Sequence, residues 1–258
     1  MSVQISSDDD VPVRSRERAI DKIDRLIRSL DVPVLHTDLR LTLDQEPARE
    51  RPAQARLLLD VNGEPVRVHV AATTIDEAVD LLDARLRRQL TSLNEYRQAM
   101  RRRAAGTEDG WRPPAVTERR PFYDRPAAER EIVRRKSFST PDSTIDEAIF
   151  DLESMDYDFF LFTEAETGFD AAVWRTPEGT YGLRFANGEA PSPDAITTVA
   201  DVELDPSPVP VLTTNEARLV LDETGDPWVL YRDPDTERAR ILYRRYDGHY
   251  GMLTPASE

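Results

Sequence analysis

Cysteine is missing from the 258-residue chain. This excludes disulfides, thiolate metal sites and cysteine nucleophiles. Histidine is almost missing: His36, His69 and His249 are scattered along the sequence, which leaves no zinc-ligand spacing. Lysine is reduced to Lys22 and Lys136, so arginine supplies nearly all of the 34 basic residues. No stretch reaches the roughly 18 apolar residues a membrane helix needs. The opening MSVQISSDDD has neither a charged start nor an apolar run, so it does not read as a signal peptide. The motifs of phosphate loops, dinucleotide folds, serine hydrolases and zinc proteases are absent as well. The expectation is a soluble cytoplasmic protein with no membrane association, no cofactor, no metal and no catalytic residue.

Two acidic pairs, Asp156/Asp158 and Asp233/Asp235, flank turns but lack the glycine of a calcium loop, and they read as solvated turn carboxylates. His69 alternates outward on a strand, and no partner for a general base can be named.

The chain length fits two or three domains. The net charge is −15, but it is unevenly spread. Residues 1–140 carry 26 basic and 24 acidic side chains, whereas residues 141–258 carry 8 and 25. Such asymmetry hints at two jobs on one chain. Arginine suits bidentate phosphate recognition, although GC-rich coding produces the same bias.

Residues 1–103 read as an α+β domain of order β-α-β-β-β-α. Val3 to Ser6 form a short strand. Ile20, Ile23, Leu26, Ile27 and Leu30 recur at helical spacing over residues 13–30, between Pro12 and Pro33. Three alternating runs follow: Leu39/Leu41/Leu43, Ala55/Leu57/Leu59/Val61 and Val66/Val68/Val70. Asn62-Gly63 joins the last two as a hairpin turn, because both of its positions favour φ > 0. A second helix over about residues 75–103 buries Val79, Leu82, Leu86, Leu90 and Leu93. Two helices on one face of a four-stranded sheet would cover both apolar stripes. Residues 104–131, rich in proline and without periodicity, read as a flexible linker.

The remainder repeats itself. Shifted by 69 residues without gaps, residues 146–185 overlie 215–254. Glu147-Ala148 meets Glu216-Ala217, and Gly179, Tyr181 and Gly182 meet Gly248, Tyr250 and Gly251. Phe159 meets Trp228, Phe162 meets Tyr231, and Trp174 meets Tyr243. This is the signature of a duplication. Each copy reads as a short helix and then strands: residues 132–186, a short linker 187–200, and residues 201–258. Modules of about 50 residues are marginal alone. The two copies are therefore expected to pair within the chain as a pseudo-dimer. The side chains expected at the pairing face are Phe160, Phe162, Trp174, Tyr181, Trp228, Tyr231, Tyr243 and Tyr250.

The basic residues of the first domain form helical stripes. Arg14, Arg18, Lys22 and Arg25 line the first helix. On the second, Arg88 lies opposite the apolar arc, Arg85 and Arg87 flank it, and Arg97 and Arg101-Arg102-Arg103 extend the row. Adjacent basic stripes can track a phosphate backbone. An ordinary solvated face accounts for them equally well, and arginines in the last turns also complement the helix dipole.

The stretch Ile75-Asp76-Glu77-Ala78-Val79-Asp80-Leu81-Leu82, followed by Arg85-Leu86-Arg87-Arg88-Gln89-Leu90, resembles the second helix of ribosome hibernation promoting factors. Ile132 to Lys136, Asp146-Glu147-Ala148-Ile149, Asp158 to Phe162, Ala165 to Gly168 and Gly179 to Leu183 resemble the C-terminal domain of the long form. The resemblance covers about residues 1–103 and 130–185, and the second copy more weakly. It implies binding to the decoding region of the small ribosomal subunit, through ribosomal RNA and ribosomal proteins, with mRNA and tRNA occluded and no chemistry. The implied RNA contacts are Arg85 and Arg88, with Lys22 and Arg25. Arg87 is a candidate as a flank of Arg88 on the helix; Thr91, Ser92 and Asn94 are neutral where the family tends to be basic, which lowers the expected affinity or moves contacts toward Arg97 and Arg101–Arg103. In the family two chains pair and join two ribosomes. A second copy within one chain implies a monomer that silences single ribosomes. The competing expectation is an acidic protein–protein adaptor whose first domain merely resembles an RNA binder.

Overall fold

The computed structural model describes residues 4–43, 51–105, 111, 125–138, 142–186, 191–192, 196 and 198–255. Most of the proline-rich segment read as a linker lies outside them. The chain divides into two compact units, Met1–Glu95 with Glu153–Tyr157, and Tyr96–Leu152 with Asp158–Glu258.

In the first unit, β1 (Gln4–Ser7), α1 (Val13–Arg28), β2 (Val34–Leu43), β3 (Ala53–Val61) and β4 (Glu64–Ala72) precede α2 (Ile75–Ala104). The sheet order is β1-β2-β3-β4. The β1/β2 pair is parallel because α1 carries the chain across between them; the other pairs are antiparallel. Asn62 and Gly63 turn β3 into β4 at φ of 56° and 91°, as Asn-Gly predicts. Alternation buries Leu39, Leu41, Ala55, Leu57, Leu59, Val66 and Val68 on one face. Ala19, Ile23 and Leu26 of α1 and Ala78, Val79, Leu82 and Leu86 of α2 are equally buried. Each large aliphatic side chain contributes roughly 1.5–3 kcal/mol on burial.

Helix α2 starts at a reciprocal cap: the Glu77 N–H donates to Thr74 Oγ1, and the Glu77 carboxylate accepts from the Thr73 N–H. Along this helix the predicted stripe drifts. Leu90 is only half-buried, while Gln89 and Ser92 are buried. Gln89 goes inside because its amide nitrogen, with two hydrogens to donate, lies within hydrogen-bonding reach of three backbone carbonyls, those of Arg67 at 3.1 Å, Glu153 at 2.6 Å and Ser154 at 2.9 Å. A buried amide is tolerated when it is hydrogen-bonded.

The second unit begins with the last turns of α2 and continues with β5 (Ile132–Phe138), α3 (Ile145–Ser154), β6 (Phe159–Thr163), β7 (Asp170–Arg175), β8 (Tyr181–Phe185), β9 (Val202–Leu204), α4 (Thr214–Thr224), β10 (Trp228–Arg232), β11 (Ala239–Arg244) and β12 (Tyr250–Pro255). Its two sheets run β6-β7-β8-β9 and β10-β11-β12-β5. Three strands of each are an antiparallel meander from one repeat segment. The fourth strand is foreign: β5 leads into the first segment but pairs parallel with β12 of the second, and β9 leads into the second segment but pairs parallel with β8 of the first. The run Ile132 to Lys136, which the sequence suggests as a leading strand of the first copy, lies within β5, but the sheet it joins is that of the other segment.

The sheets meet along a seam. Leu161, Ala172 and Ala186 of one pack with Leu230, Ala239, Ile241 and Leu253 of the other, and Phe159, Trp228 and Tyr243 close around them. Ring centroids lie 5.2 Å apart for Phe159–Trp228 and 5.5 Å for Trp174–Trp228. Of the eight aromatic residues expected at this face, Trp174, Trp228 and Tyr243 reach it. Tyr231 and Tyr250 point the other way and pack on Ala217 and Leu221 of α4. Phe160 and Phe162 alternate with Leu161, and Tyr181 with Gly182, so they also face away from the seam. The correction has a simple cause: a strand buried on both faces gives no periodic cue to which face meets which layer.

The repeated glycines have two distinct duties. Gly179 and Gly248 turn at φ of 82° and 79°. Gly182 and Gly251 instead make room for a ring: a Cβ on Gly182 would sit 2.2 Å from the Trp174 indole, and one on Gly251 would sit 2.2 Å from the Tyr243 ring. Trp174↔Gly182 and Tyr243↔Gly251 are direct cross-strand pairs. Parts of the segments read as linkers are built in. Trp111 is buried, donates its backbone N–H to the Val199 carbonyl at 2.8 Å and packs edge-on to Tyr96 at 4.6 Å.

Candidate nucleic-acid interface

Helices α1 and α2 present the basic residues, and their acidic neighbours decide which of these are available. On α1 the middle of the stripe is taken. Lys22 Nζ lies 2.6 Å from Asp80 of α2, and Arg18 donates to both oxygens of the same carboxylate at 2.8 and 2.9 Å. The Lys22 hydrogen bond, aided by the charges of Lys22 and Arg18, holds the Asp80 carboxyl below its ordinary value, outweighing an opposing desolvation. Lys22 is thus a brace between helices. Arg14 and Arg25 are exposed, Arg25 donating to the Asp21 carbonyl at 3.1 Å.

On α2 the sequence-predicted residues separate into two groups. Arg88 is exposed, and its Nε donates to the Ala84 carbonyl of its own helix at 3.4 Å. Arg87 is exposed and pairs with Asp83 one turn back, 3.1 Å away. Arg101 and Arg102 are exposed at the end of the helix. Arg85, by contrast, pairs with Asp156 at 2.6 Å, their side chains 22% and 11% exposed. The Arg97 guanidinium stacks 5.0 Å over the Phe150 ring, and Arg103 donates to the Thr198 carbonyl. In the first unit Arg14, Arg25, Arg87 and Arg88 are exposed while Lys22 and Arg85 are engaged; in the second, Arg101 and Arg102 are exposed and Arg97 and Arg103 are engaged. Nothing local in the sequence signals those engagements, because the partners Asp80, Asp156, Phe150 and Thr198 are all remote along the chain.

Sequence reasoning passed over the open face of the first sheet. There Ser6, Arg40, Arg56 and His69 form one register row across all four strands, and Arg56 Nε lies 3.1 Å from His69 Nε2. The outward half of the alternation already placed these side chains together.

Among the described residues, no three histidine or carboxylate side chains converge as a metal site would require. Asp233 is not a solvated carboxylate. It is buried, accepts the N–H groups of Asp235 and Thr236, and pairs with Arg240 at 2.7 Å. Glu164 holds the matching turn of the first segment, accepting from Glu166 and Thr167. Asp156 has a positive φ of 54° after α3 and carries the contact to Arg85. His249 Nδ1 accepts the Glu131 N–H at 3.1 Å, steadying the entry to β5.

Known proteins resemble this chain over most of its length. The family model described as Sigma 54 modulation/S30EA ribosomal protein C terminus matches residues 127–183 and again 202–252. A dormancy associated translation inhibitor of Mycobacterium tuberculosis is 32% identical over 236 residues, covering 85% of this chain and 77% of that protein. A ribosome hibernation promotion factor of Deinococcus radiodurans is 30% identical over 180 residues, covering 65% of this chain and 89% of that protein. The N-terminal domain of Thermus thermophilus Protein Y overlays with a TM-score of 0.28 at 23% identity, over 33% of this chain and 91% of that one.

Proposed function

Because this chain belongs to the family of long-form ribosome hibernation factors, we propose that its first unit binds the decoding region of the small ribosomal subunit and silences translation by occluding mRNA and tRNA. The observation that carries this reading is the exposed pair Arg87 and Arg88 on α2, with Arg25 on α1, all within the first unit. These guanidiniums can pair with phosphates of folded RNA, which is recognised through backbone and shape. No bond is made or broken, and inhibition follows from occupancy. Arg85 joins the contact only by exchanging Asp156 for a phosphate. Residues 141–258 carry 8 basic against 25 acidic side chains, so this half is repelled by RNA and suits a ribosomal-protein surface.

The reading extends to single ribosomes. The foreign strands β5 and β9 and the aromatic seam use, inside one chain, the surfaces that a second chain would otherwise fill. An intrachain partner is present at high effective concentration.

Pelleting the full chain with purified small subunits at low and high salt tests the first claim. Binding at low salt, lost in Arg87→Glu/Arg88→Glu, supports it; pelleting indifferent to that reversal refutes it. Sedimentation of cell extracts tests the second, and a dominant ribosome-dimer peak that depends on this protein refutes it.

A further inference from the structure

The 69-residue shift makes Asp170 and Ala239 equivalent positions, and these two positions touch. The Ala239 N–H donates to Asp170 Oδ2 at 2.9 Å. Contact between equivalent positions places them beside the approximate two-fold axis that relates the repeats. A symmetric pair of identical domains would carry the same residue twice there. This chain does not. Asp170, 1% exposed, accepts from Arg238 Nε at 2.8 Å and from Arg238 Nη2 at 2.9 Å. The counterpart of Arg238 in the first repeat is Phe169, and the counterpart of Asp170 in the second is Ala239. The same one-sidedness recurs along the seam. Ala172 of the first repeat is equivalent to Ile241 of the second, and both are fully buried in it. The two seam surfaces are therefore complementary to each other and not to themselves.

We propose that Asp170 and Arg238 specify pairing of a first repeat with a second repeat and reject pairing of like repeats between chains. Two first repeats would bring Asp170 against Asp170, two carboxylates nearly excluded from water, with Ala172 facing Ala172 across a void. Two second repeats would leave Arg238 without a carboxylate and crowd Ile241 against Ile241. Buried like charges and mismatched volumes are how interfaces exclude wrong partners. This inference rests on the intrachain pairing put forward above and does not depend on ribosome binding.

Charge reversal in the full chain tests it, read by sedimentation velocity of purified protein. Wild type is expected as a species of 29.4 kDa. Asp170→Arg and Arg238→Asp each place like charges at the seam, so each alone should broaden toward an expanded or self-associating species and lose at least several degrees of melting temperature. The double variant Asp170→Arg/Arg238→Asp should regain the wild-type sedimentation and most of the melting temperature. Mixed one to one, the two single variants have complementary charges only between chains and should form a 1:1 heterodimer at twice the mass. A wild type that is itself dimeric refutes the intrachain pairing. A monomeric wild type whose single reversals leave sedimentation and melting unchanged, or whose double reversal and mixture both fail to recover, refutes the specificity and leaves the pairing standing.

Discussion

Asp146, in the first turn of α3, has its side-chain Oδ1 hydrogen-bonded by the Tyr96 hydroxyl and the Val199 N–H, both at 3.0 Å. Burial pushes its carboxyl above the ordinary value of 3.8, and the two hydrogen bonds only partly offset this. A raised value in the folded state means that the ionised form opposes folding. The favourable contribution is complete below about pH 3.8 and fades as pH rises through the raised value. Asp146→Asn keeps the acceptor and removes the charge, so its melting temperature at pH 7 should equal or exceed that of wild type. Asp146→Ala leaves the buried Val199 N–H unsatisfied and should cost about 1–3 kcal/mol in chemical denaturation. A second expectation concerns Arg85. Asp156→Ala frees this guanidinium, so subunit affinity measured by pelleting should rise, and an unchanged or weaker affinity would place Arg85 outside the RNA contact. At this scale the sequence is least informative. It supplied the basic candidates, but whether Lys22 or Arg85 faces solvent is decided by Asp80 and Asp156, which lie 58 and 71 residues away.

At the scale of elements the first unit was almost fully legible. Alternation gave β2, β3 and β4, Asn62-Gly63 gave their turn, and the prolines bounded α1. The departures are physical: α2 turns Gln89 inward because carbonyls wait there, and five seam candidates turn away from the seam because a doubly buried strand has no polar side. The glycine niches give an expected outcome here. Gly182→Ala drives a methyl into the Trp174 ring and should destabilise by about 1–3 kcal/mol in urea unfolding. Pairing it with Trp174→Leu should recover part of that loss, whereas additive losses would contradict the niche. The cap of α4 is a further one. Thr213 and Glu216 form a reciprocal box, Glu216 Oε2 accepting from the Thr213 N–H at 2.8 Å. Thr213→Ala should cost about 1 kcal/mol, and loss of helical signal alone should track it.

For the whole molecule, the charge asymmetry and the duplication were both plain in the sequence, whereas the exchange of β5 and β9 was not. Parallel pairing between remote strands leaves no local signature, because its partner strand is set only when the two sheets assemble. The asymmetry carries a measurable consequence. If about four phosphates are neutralised, subunit affinity should fall roughly 100-fold between 50 and 200 mM salt. A flat salt profile in the pelleting assay would exclude an electrostatic mode of binding.

The exchange of leading strands also governs timing. Ile132 pairs with Tyr250, 118 positions later in the chain. At ~5–20 residues per second, synthesis takes roughly 6–24 s to supply that partner. During this interval β5 is an unpaired ribbon, the kind of feature that invites chaperones and adhesion to neighbouring nascent chains. A premature stop before β12 would therefore harm the start of this unit as much as its end, because the final strand is what anchors the first.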